Sequence, residues 1–96
     1  MRELEHKLII DFHKRFNEYL EKAPLEIKIS FREILEVFLA NPTNPILRNH
    51  PLKEQYAGYR SIDITDDWRA LFKIRETKFQ TVITFHILGT HTQLYK

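Results

Sequence analysis

The sequence contains no cysteine and no long hydrophobic run. Without thiols, the chain can form neither a disulfide framework nor a zinc–thiolate site, and it has no thiolate nucleophile. The apolar run Leu8-Ile9-Ile10 is flanked by charged residues and is far too short for a signal peptide or a membrane span. We therefore expect a cytoplasmic protein with no membrane contact.

An excess of charge of one sign is also lacking. The formal net charge of +2 and the sequence pI near 9.0 make the chain only mildly basic. This balance allows a polyanionic partner without requiring one, because affinity depends on where the lysines and arginines cluster. With 96 residues and 43% hydrophobic content, the sequence predicts one globular domain over residues 1–96, with a single modest core.

A β-hairpin over residues 58–74 organises the rest of the chain. Two runs rich in β-formers flank the polar stretch Thr65-Asp66-Asp67, which is typical of a hairpin turn. A turn there sets three pairs of residues opposite one another: Ile64 with Trp68, Ile62 with Ala70, and Asp63 with Arg69. Because strand side chains alternate, this register makes one face apolar and the other charged, and a slip by one residue would mix the faces.

The segments on either side of the hairpin predict elements that cover its apolar face. We expect a strand to about Ile10, a helix over residues 12–22 and a second amphipathic helix over residues 24–40. A third strand follows over residues 79–88. Its alternation places Phe79, Ile83, Phe85 and Ile87 on one side and Val82, Thr84, His86 and Leu88 on the other. This order predicts an α+β fold in which an N-terminal strand and a helical hairpin pack on an antiparallel sheet.

Several short motifs, in order along the chain, resemble the RelE/ParE superfamily of bacterial type II toxins. They are Asn41-Pro42, the run from Leu47 to Lys53, Gly58-Tyr59-Arg60-Ser61-Ile62, Asp67-Trp68-Arg69-Ala70-Leu71-Phe72, and the run from Gly89 to Tyr95. Each motif alone is weak, but their order and spacing are similar to those of YafQ-like and RelE/StbE-like mRNA interferases. The resemblance covers nearly the whole chain from Phe12 onward and implies a RelE-like fold.

The resemblance also implies a function. Such a toxin enters the ribosomal A site and cleaves the messenger RNA there, as a 2′-hydroxyl attacks the adjacent phosphate and the 5′-oxygen leaves. It needs no metal or other cofactor, and a cognate antitoxin protein holds it inactive. The protein must position the RNA, accept a proton, offset the charge on the phosphorane and protonate the leaving group.

The same resemblance assigns catalytic roles to individual residues. His50 and His91 match two catalytic histidines. Imidazoles suit proton transfer at neutral pH, because the pKa of the free group is about 6.5. Asp67 and Arg69 match a catalytic aspartate and a phosphate-binding arginine, and Tyr95 matches an aromatic residue that stacks on a base. The plainer interpretations are a loop histidine that caps a turn before Pro51, a solvent-facing histidine after a strand-ending glycine, a turn aspartate and a ring packed on the sheet edge.

The predicted RNA-binding residues are Lys53, Lys73 and Asp63. The two lysines would contact phosphates. Asp63 departs from the family pattern, because YafQ itself has a histidine at this position. A carboxylate repels a nearby RNA phosphate unless it is neutralised, and the predicted register supplies Arg69 as its cross-strand partner. We interpret Arg60 as structural, because it shares the side of Ile62.

Two other functions are compatible with the same fold. One is a ParE-like inhibitor of DNA gyrase, which has no need of acid–base groups such as His50 and His91. The other is a weakly active relative that only binds its antitoxin, and the carboxylate of Asp63 in place of a family histidine favours it. The histidines lack a compact metal-ligand spacing, so no metal site is predicted.

Overall fold

The computed structural model describes residues 6–95 and contains one five-stranded sheet with two helices packed on one face. In chain order the elements are β1 (Lys7–Phe12), α1 (Lys14–Lys22), α2 (Leu25–Ala40), β2 (His50–Pro51), β3 (Arg60–Asp63), β4 (Trp68–Glu76), β5 (Gln80–Thr90) and α3 (His91–Leu94). Short 3₁₀ turns at Pro45–Leu47 and Glu54–Tyr56 flank β2. No helix within the described residues is both long and apolar enough to cross a membrane.

The sheet is mixed, with the strand order β1-β5-β4-β3-β2. Strands β3, β4 and β5 form the antiparallel meander that the sequence predicts, and β2 adds a short antiparallel edge. The first strand pairs with β5 in parallel, because the two helices carry the chain across the sheet before the meander begins. The α+β class with a helical hairpin on the sheet is confirmed, and the parallel edge is an addition to it.

The predicted register of the central hairpin is confirmed. Ile62 lies opposite Ala70, and Asp63 lies opposite Arg69. At the turn, the backbone N–H of Ile64 donates to the carbonyl oxygen of Trp68 at 2.8 Å. The apolar face of the hairpin therefore points to the helices, and its charged side chains lie on the opposite face, which we call the open face.

Phenylalanine rings from both layers form the centre of the core. Phe16 of α1 and Phe31 and Phe38 of α2 pack on Phe72 and Phe85 of the sheet, at centroid separations between 5.2 and 5.9 Å. All five rings are buried. Burial of a side chain of this size stabilises the fold by about 1.5–3 kcal/mol. The helical spacing of these residues thus packs both helices against one face of the sheet.

The predicted start of the first helix is wrong by two residues. Phe12 continues β1, pairs with Phe85 and stacks on its ring at 5.8 Å, so it enters the core from the strand. His13 then caps α1, because its Nδ1 accepts a hydrogen bond from the backbone N–H of Arg15 at 3.1 Å. A side-chain acceptor at this position satisfies one of the free N–H groups of the first helical turn.

A β-bulge in β5 overturns the predicted alternation at its C-terminal end. His86 is an extra residue in the pairing with β4, so Ile87 does not share the side of Phe85 and Leu88 turns into the core instead. The flanking pairs are Leu71 with Ile87 and Phe72 with Phe85. A bulge of this kind reverses the inside–outside pattern beyond it. It leaves His86 on the open face.

Candidate active site

A cleft of about 280 Å³ lies on the open face of the sheet, at the end where β3 meets β4. It is lined by Arg48, His50, Leu52, Asp63, Arg69, His91 and Tyr95. The residues come from separate parts of the chain: the loop before β3, the β3–β4 hairpin and α3. The structure therefore brings together both predicted histidines, the predicted arginine, the predicted tyrosine and the carboxylate that departs from the family pattern.

The ring of His50 is fixed by the backbone before it. Its Nδ1 lies 2.6 Å from the carbonyl oxygen of Arg48. Because a carbonyl oxygen only accepts, Nδ1 carries the hydrogen, and Nε2 of the neutral ring holds a free lone pair. Arg48 has a left-handed conformation with φ of 49°, which ends the 3₁₀ turn and points its carbonyl oxygen at His50. β2 then anchors His50 opposite Ser61 in the sheet.

His91 is held at the first turn of α3. Thr90 and Gln93 form a capping box, in which each side chain bonds the backbone N–H of the other residue. The backbone N–H of His91 donates to the carbonyl oxygen of Asp67 at 2.7 Å, which ties α3 to the hairpin turn. One helical turn later lies Tyr95, and the centroid of its ring is 4.8 Å from the centroid of the His91 ring. The two rings therefore form a fixed pair at the mouth of the cleft.

Arg69 and Asp63 form a sheltered ion pair on the floor of the cleft. The Nε of Arg69 lies 3.0 Å from Oδ1 of Asp63, and the Nε of Arg48 lies 3.7 Å from Oδ2. The side chains of Asp63 and Arg69 are 15% and 14% exposed, whereas that of Arg48 is 74% exposed. Two guanidinium groups thus offset the carboxylate, and the predicted pairing of Asp63 with Arg69 is confirmed.

Backbone carbonyl groups fix the remaining side of the Arg69 guanidinium. Its Nη1 donates to the carbonyl oxygens of Thr65 and Trp68, at 2.9 and 3.1 Å. Arg69 lines the cleft, and the forked N–H donors of a guanidinium suit an anion there. Arg69 is therefore both anchored in the fold and able to bind a phosphate.

Three other predicted residues do not line this cleft. The exposed Asp67 contributes its backbone carbonyl to His91, and no hydrogen bond links its carboxylate to a histidine in the described part of the chain. Lys53 is exposed and precedes the second 3₁₀ turn. Lys73 lies farther along β4, with Nζ 4.6 Å from the centroid of the Tyr59 ring. Their predicted roles stay predictions.

Two residues of the cleft escaped the sequence reasoning. Arg48 and Leu52 both lie in the run from 47 to 53 that carries the family resemblance, but within that run the sequence predicts roles only for His50 and Lys53. Arg60 has the structural role that the sequence predicts, because its Nε donates to Oδ1 of Asn49 at 2.8 Å and so fixes the loop that presents His50. Within residues 6–95, no group of three or more histidine, aspartate or glutamate residues is arranged to hold a metal ion.

Known proteins share both the sequence pattern and the fold. The mRNA interferase toxin YafQ of Escherichia coli (strain B / BL21-DE3) is 26% identical over 90 residues, which cover 90% of this chain and 94% of the relative. The crystal structure of YafQ from E. coli strain BL21(DE3) superposes with a TM-score of 0.75 at 19% identity, covering 94% of this chain and all of that one (100%).

Two further solved structures have the same fold. A YoeB/ParE toxin from Agrobacterium tumefaciens matches with a TM-score of 0.63 at 17% identity, over 88% of this chain and 98% of that one. YafQ in the E. coli DinJ–YafQ toxin–antitoxin complex matches with a TM-score of 0.63 at 19% identity, over 94% and 99% of the two chains. The model of the YafQ family, bacterial toxins of type II toxin–antitoxin systems, matches residues 4–96. This chain belongs to that family of toxins.

Proposed function

We propose that residues 1–96 form a single toxin domain that cleaves messenger RNA in the ribosomal A site and that a cognate antitoxin holds inactive. One observation carries this proposal: the imidazoles of His50 and His91 line the same cleft as the guanidinium of Arg69. Cleavage of an RNA phosphodiester by its own 2′-hydroxyl needs a base, an acid and a cation at one point. The cleft offers one group of each kind.

His50 is suited to act as the general base. Its Nδ1 donates to the carbonyl oxygen of Arg48, so the lone pair on Nε2 is the proton acceptor. Removal of the proton from the 2′-hydroxyl lets that oxygen attack the adjacent phosphorus. The carbonyl oxygen then stabilises the imidazolium that forms, because its bond to the Nδ1 hydrogen strengthens when the ring becomes charged.

His91 is suited to act as the general acid. The P–O5′ bond breaks as the new P–O2′ bond forms, and the 5′-oxygen takes a proton from the His91 imidazolium. This transfer leaves a 2′,3′-cyclic phosphate on one product and a 5′-hydroxyl on the other. The backbone bond from His91 to Asp67 and the contact with Tyr95 limit the positions that the ring can take.

Arg69 would offset the charge of the phosphorane through its guanidinium group. Fixed donors of this kind lower the barrier because they need no rearrangement when the charge develops. Asp63 works against this effect, since it lies 3.0 Å from Nε of the same guanidinium. The exposed Arg48, on the other side of the carboxylate, compensates in part. We therefore expect weaker cleavage than an imidazole at position 63 would give.

The remaining predicted residues would bind the substrate rather than react with it. Tyr95 is half-buried beside His91, where its ring can stack on a base next to the scissile linkage. Lys53 and Lys73 lie outside the cleft, and we propose that they contact flanking phosphates. We also propose that the Asp67 carboxylate orients His91 once RNA is bound.

The partners follow from the same proposal. The related YafQ is found in a toxin–antitoxin complex with DinJ, and we propose that this chain binds an antitoxin of its own. Its substrate would be messenger RNA on the ribosome, which places its action in the cytoplasm. The proton transfers assigned to His50 and His91 need no metal ion.

Primer extension on a transcript under translation tests the proposal. Expression of the chain without an antitoxin is expected to arrest growth and to produce cuts within codons that occupy the A site. The His50→Ala and His91→Ala variants are expected to lose both effects. If both variants still arrest growth, the nuclease assignment is wrong, and inhibition of DNA gyrase by purified protein becomes the next assay.

A further inference from the structure

A row of six aromatic rings crosses the open face of the sheet, from the cleft to the start of α1. Its successive centroid distances are 4.8 Å from His91 to Tyr95, 5.8 Å from Tyr95 to Tyr56, 6.3 Å from Tyr56 to Tyr59, 5.5 Å from Tyr59 to His86 and 5.0 Å from His86 to His13. We call these six residues the aromatic row. Only its first two members belong to the cleft described above.

Local features of the chain place the two central tyrosines side by side. The backbone N–H of Tyr59 donates to the carbonyl oxygen of Tyr56 at 3.0 Å, which closes a four-residue turn. Ala57 has φ of −55° and ψ of 135°, and Gly58 has φ of 94°, which together define a type II turn. Such a turn needs a positive φ at its third position, which glycine adopts without strain.

The bulge in β5 places the next member of the row. His86 is the extra residue of the bulge, and its ring meets Tyr59 on one side and His13 on the other. The two imidazoles are nearly parallel, at an interplanar angle of 28°. Bulges often redirect a single side chain in this way without ending the sheet.

The rings of the row remain accessible. His13 and His91 are exposed, and the other four members are only half-buried, so none is part of the core. The row also carries polar edges throughout, since it consists of imidazoles and phenols. A groove that binds a helical protein partner presents apolar side chains such as leucine or methionine. The aromatic row contains none of these.

Cations flank the row along its length. The Nζ of Lys73 lies over the Tyr59 ring at 4.6 Å. A depression of about 350 Å³ on one side of His86 is lined in part by Arg15, and a second of about 370 Å³ is lined in part by Lys73 and Arg75. Asp11 is the one carboxylate among the residues that line these two depressions. The surface beside the rings is therefore suited to a chain of phosphates.

We propose that the aromatic row binds the single-stranded messenger segment that extends from the scissile linkage, with bases on the rings and phosphates on the flanking cations. This inference rests on the proposed function, because it places the scissile linkage at the His91 end of the row. Stacking on aromatic rings tolerates any base, since every base has a π-face. Open sheet faces that carry aromatic rings bind RNA in the same way in other folds.

Binding of an uncleavable RNA tests the row separately from catalysis. We would measure fluorescence anisotropy of a labelled single-stranded RNA of about ten nucleotides, within the usual range of single-strand sites. Its 2′-O-methyl groups prevent cleavage. Tyr59→Leu is expected to weaken binding about tenfold, because it removes one stacking surface. Tyr59→Phe keeps the ring and is expected to bind as the unchanged protein does.

The chain offers a matched control at the far end of the sheet. The exposed ring of Phe79 lies under Nζ of Lys78 at 5.8 Å, as Tyr59 lies under Lys73, but it is not a member of the row. Phe79→Leu is therefore expected to leave binding unchanged. If Tyr59→Leu does not fold, Lys73→Gln and its control Lys78→Gln replace the pair. Only Lys73→Gln is expected to lower the salt dependence of binding, by about one phosphate contact.

Three results would overturn the inference. The first is that the unchanged protein does not bind the RNA. The second is that the Tyr59→Leu and Phe79→Leu variants bind the RNA equally well. The third is that Tyr59→Leu weakens binding of the antitoxin but not binding of the RNA. Failure of the proposed function looks different. If the chain never cuts messenger RNA on ribosomes but Tyr59→Leu still weakens binding of the RNA, the row stands and the nuclease assignment falls.

Discussion

Asp63 and Arg69 face each other across β3 and β4, with Oδ1 of the carboxylate 3.0 Å from Nε of the guanidinium. Both side chains are largely sheltered from water. A pair in this position is screened less than a surface pair, so removal of either partner costs more than it would at the surface. It also directs one edge of the guanidinium away from any phosphate in the cleft. The pair thus stabilises the hairpin and limits the charge that the site can offer RNA.

Asp63→His is expected to raise cleavage and to lower stability. The change removes a negative charge from the floor of the cleft, and Arg69 keeps its place through its bonds to the carbonyl oxygens of Thr65 and Trp68. Loss of the charged hydrogen bond is expected to lower the free energy of unfolding by about 2 kcal/mol. Primer extension measures the first effect and urea unfolding the second.

Asp63→Asn separates the effect of charge from that of the added imidazole. If removal of the charge is sufficient, the asparagine and histidine variants both cleave faster than the unchanged protein. If the imidazole takes part in proton transfer, only the histidine variant does. A fall in cleavage by both variants would contradict the prediction and would assign the carboxylate a role in positioning Arg69.

His50→Asn is expected to abolish most cleavage without loss of stability. The asparagine amide can still donate to the carbonyl oxygen of Arg48, as Nδ1 of His50 does at 2.6 Å, but it offers no base in place of Nε2. Loss of a general base lowers a rate by about 10²–10⁴-fold. His6→Asn is the control, because that exposed histidine contacts Thr81, which does not line the cleft. Wild-type cleavage by His50→Asn would exclude His50 as the base.

The register of the hairpin could be predicted because each residue had one acceptable side. Any slip would have placed Asp63 or Arg69 against the phenylalanine core, at a cost that no other pairing offsets. The bulge at His86 could not be predicted in this way. The two residues that follow it, Ile87 and Leu88, are both apolar, so the hydrophobic pattern alone does not decide which of them faces the helices.

The meeting of His50 and His91 depends on features that a periodic pattern does not contain. The left-handed conformation of Arg48 aims one ring, and the backbone bond to Asp67 places the other. The chain approaches the cleft through the loop before β3 and through α3, and neither has a repeat that fixes its direction. The family resemblance predicts that these residues converge. The order and spacing of the motifs indicate a shared loop conformation, which hydrophobic periodicity does not determine.

His86→Gln is expected to reduce the loss of stability in mild acid. Burial, then His13 and Lys73, lower the pKa of His86 below its ordinary value of 6.5, and Asp11 opposes them in part. The unfolded chain therefore binds a proton at a higher pH than the folded chain does. The contribution of neutral His86 to the free energy of unfolding is fully present above about pH 6.5, and it is lost as the pH drops from there toward the folded-state pKa.

Urea unfolding at about pH 7.5 and about pH 5.5 measures this effect, since the two values lie on either side of the unfolded pKa. The glutamine variant should lose less free energy of unfolding between the two than the unchanged protein does. His6→Gln is the control, because it changes an exposed histidine that lies outside the aromatic row. An equal loss in the His86 and His6 variants would contradict the assignment of the acid sensitivity to His86.

Gly89→Ala is expected to weaken both the fold and cleavage, because a methyl group at position 89 would crowd two side chains of α3. A Cβ there would lie 3.2 Å from Oε1 of Gln93 and 3.3 Å from Cδ2 of the buried Leu94. Overpacking of this kind costs about 1–3 kcal/mol. Relief requires the side chains of Gln93 and Leu94 to shift by a few tenths of an ångström, and both lie on α3, which carries His91, with Tyr95 at its end. A small shift of a catalytic group lowers the rate steeply.

Leu94→Val tests whether crowding is the cause, since it shortens the side chain that the new methyl group would meet. If it is, the double variant loses less stability than the sum of the two single variants and recovers part of the cleavage. Urea unfolding and primer extension on the four proteins complete the cycle. Strictly additive losses would show that the methyl group at position 89 does not act through Leu94.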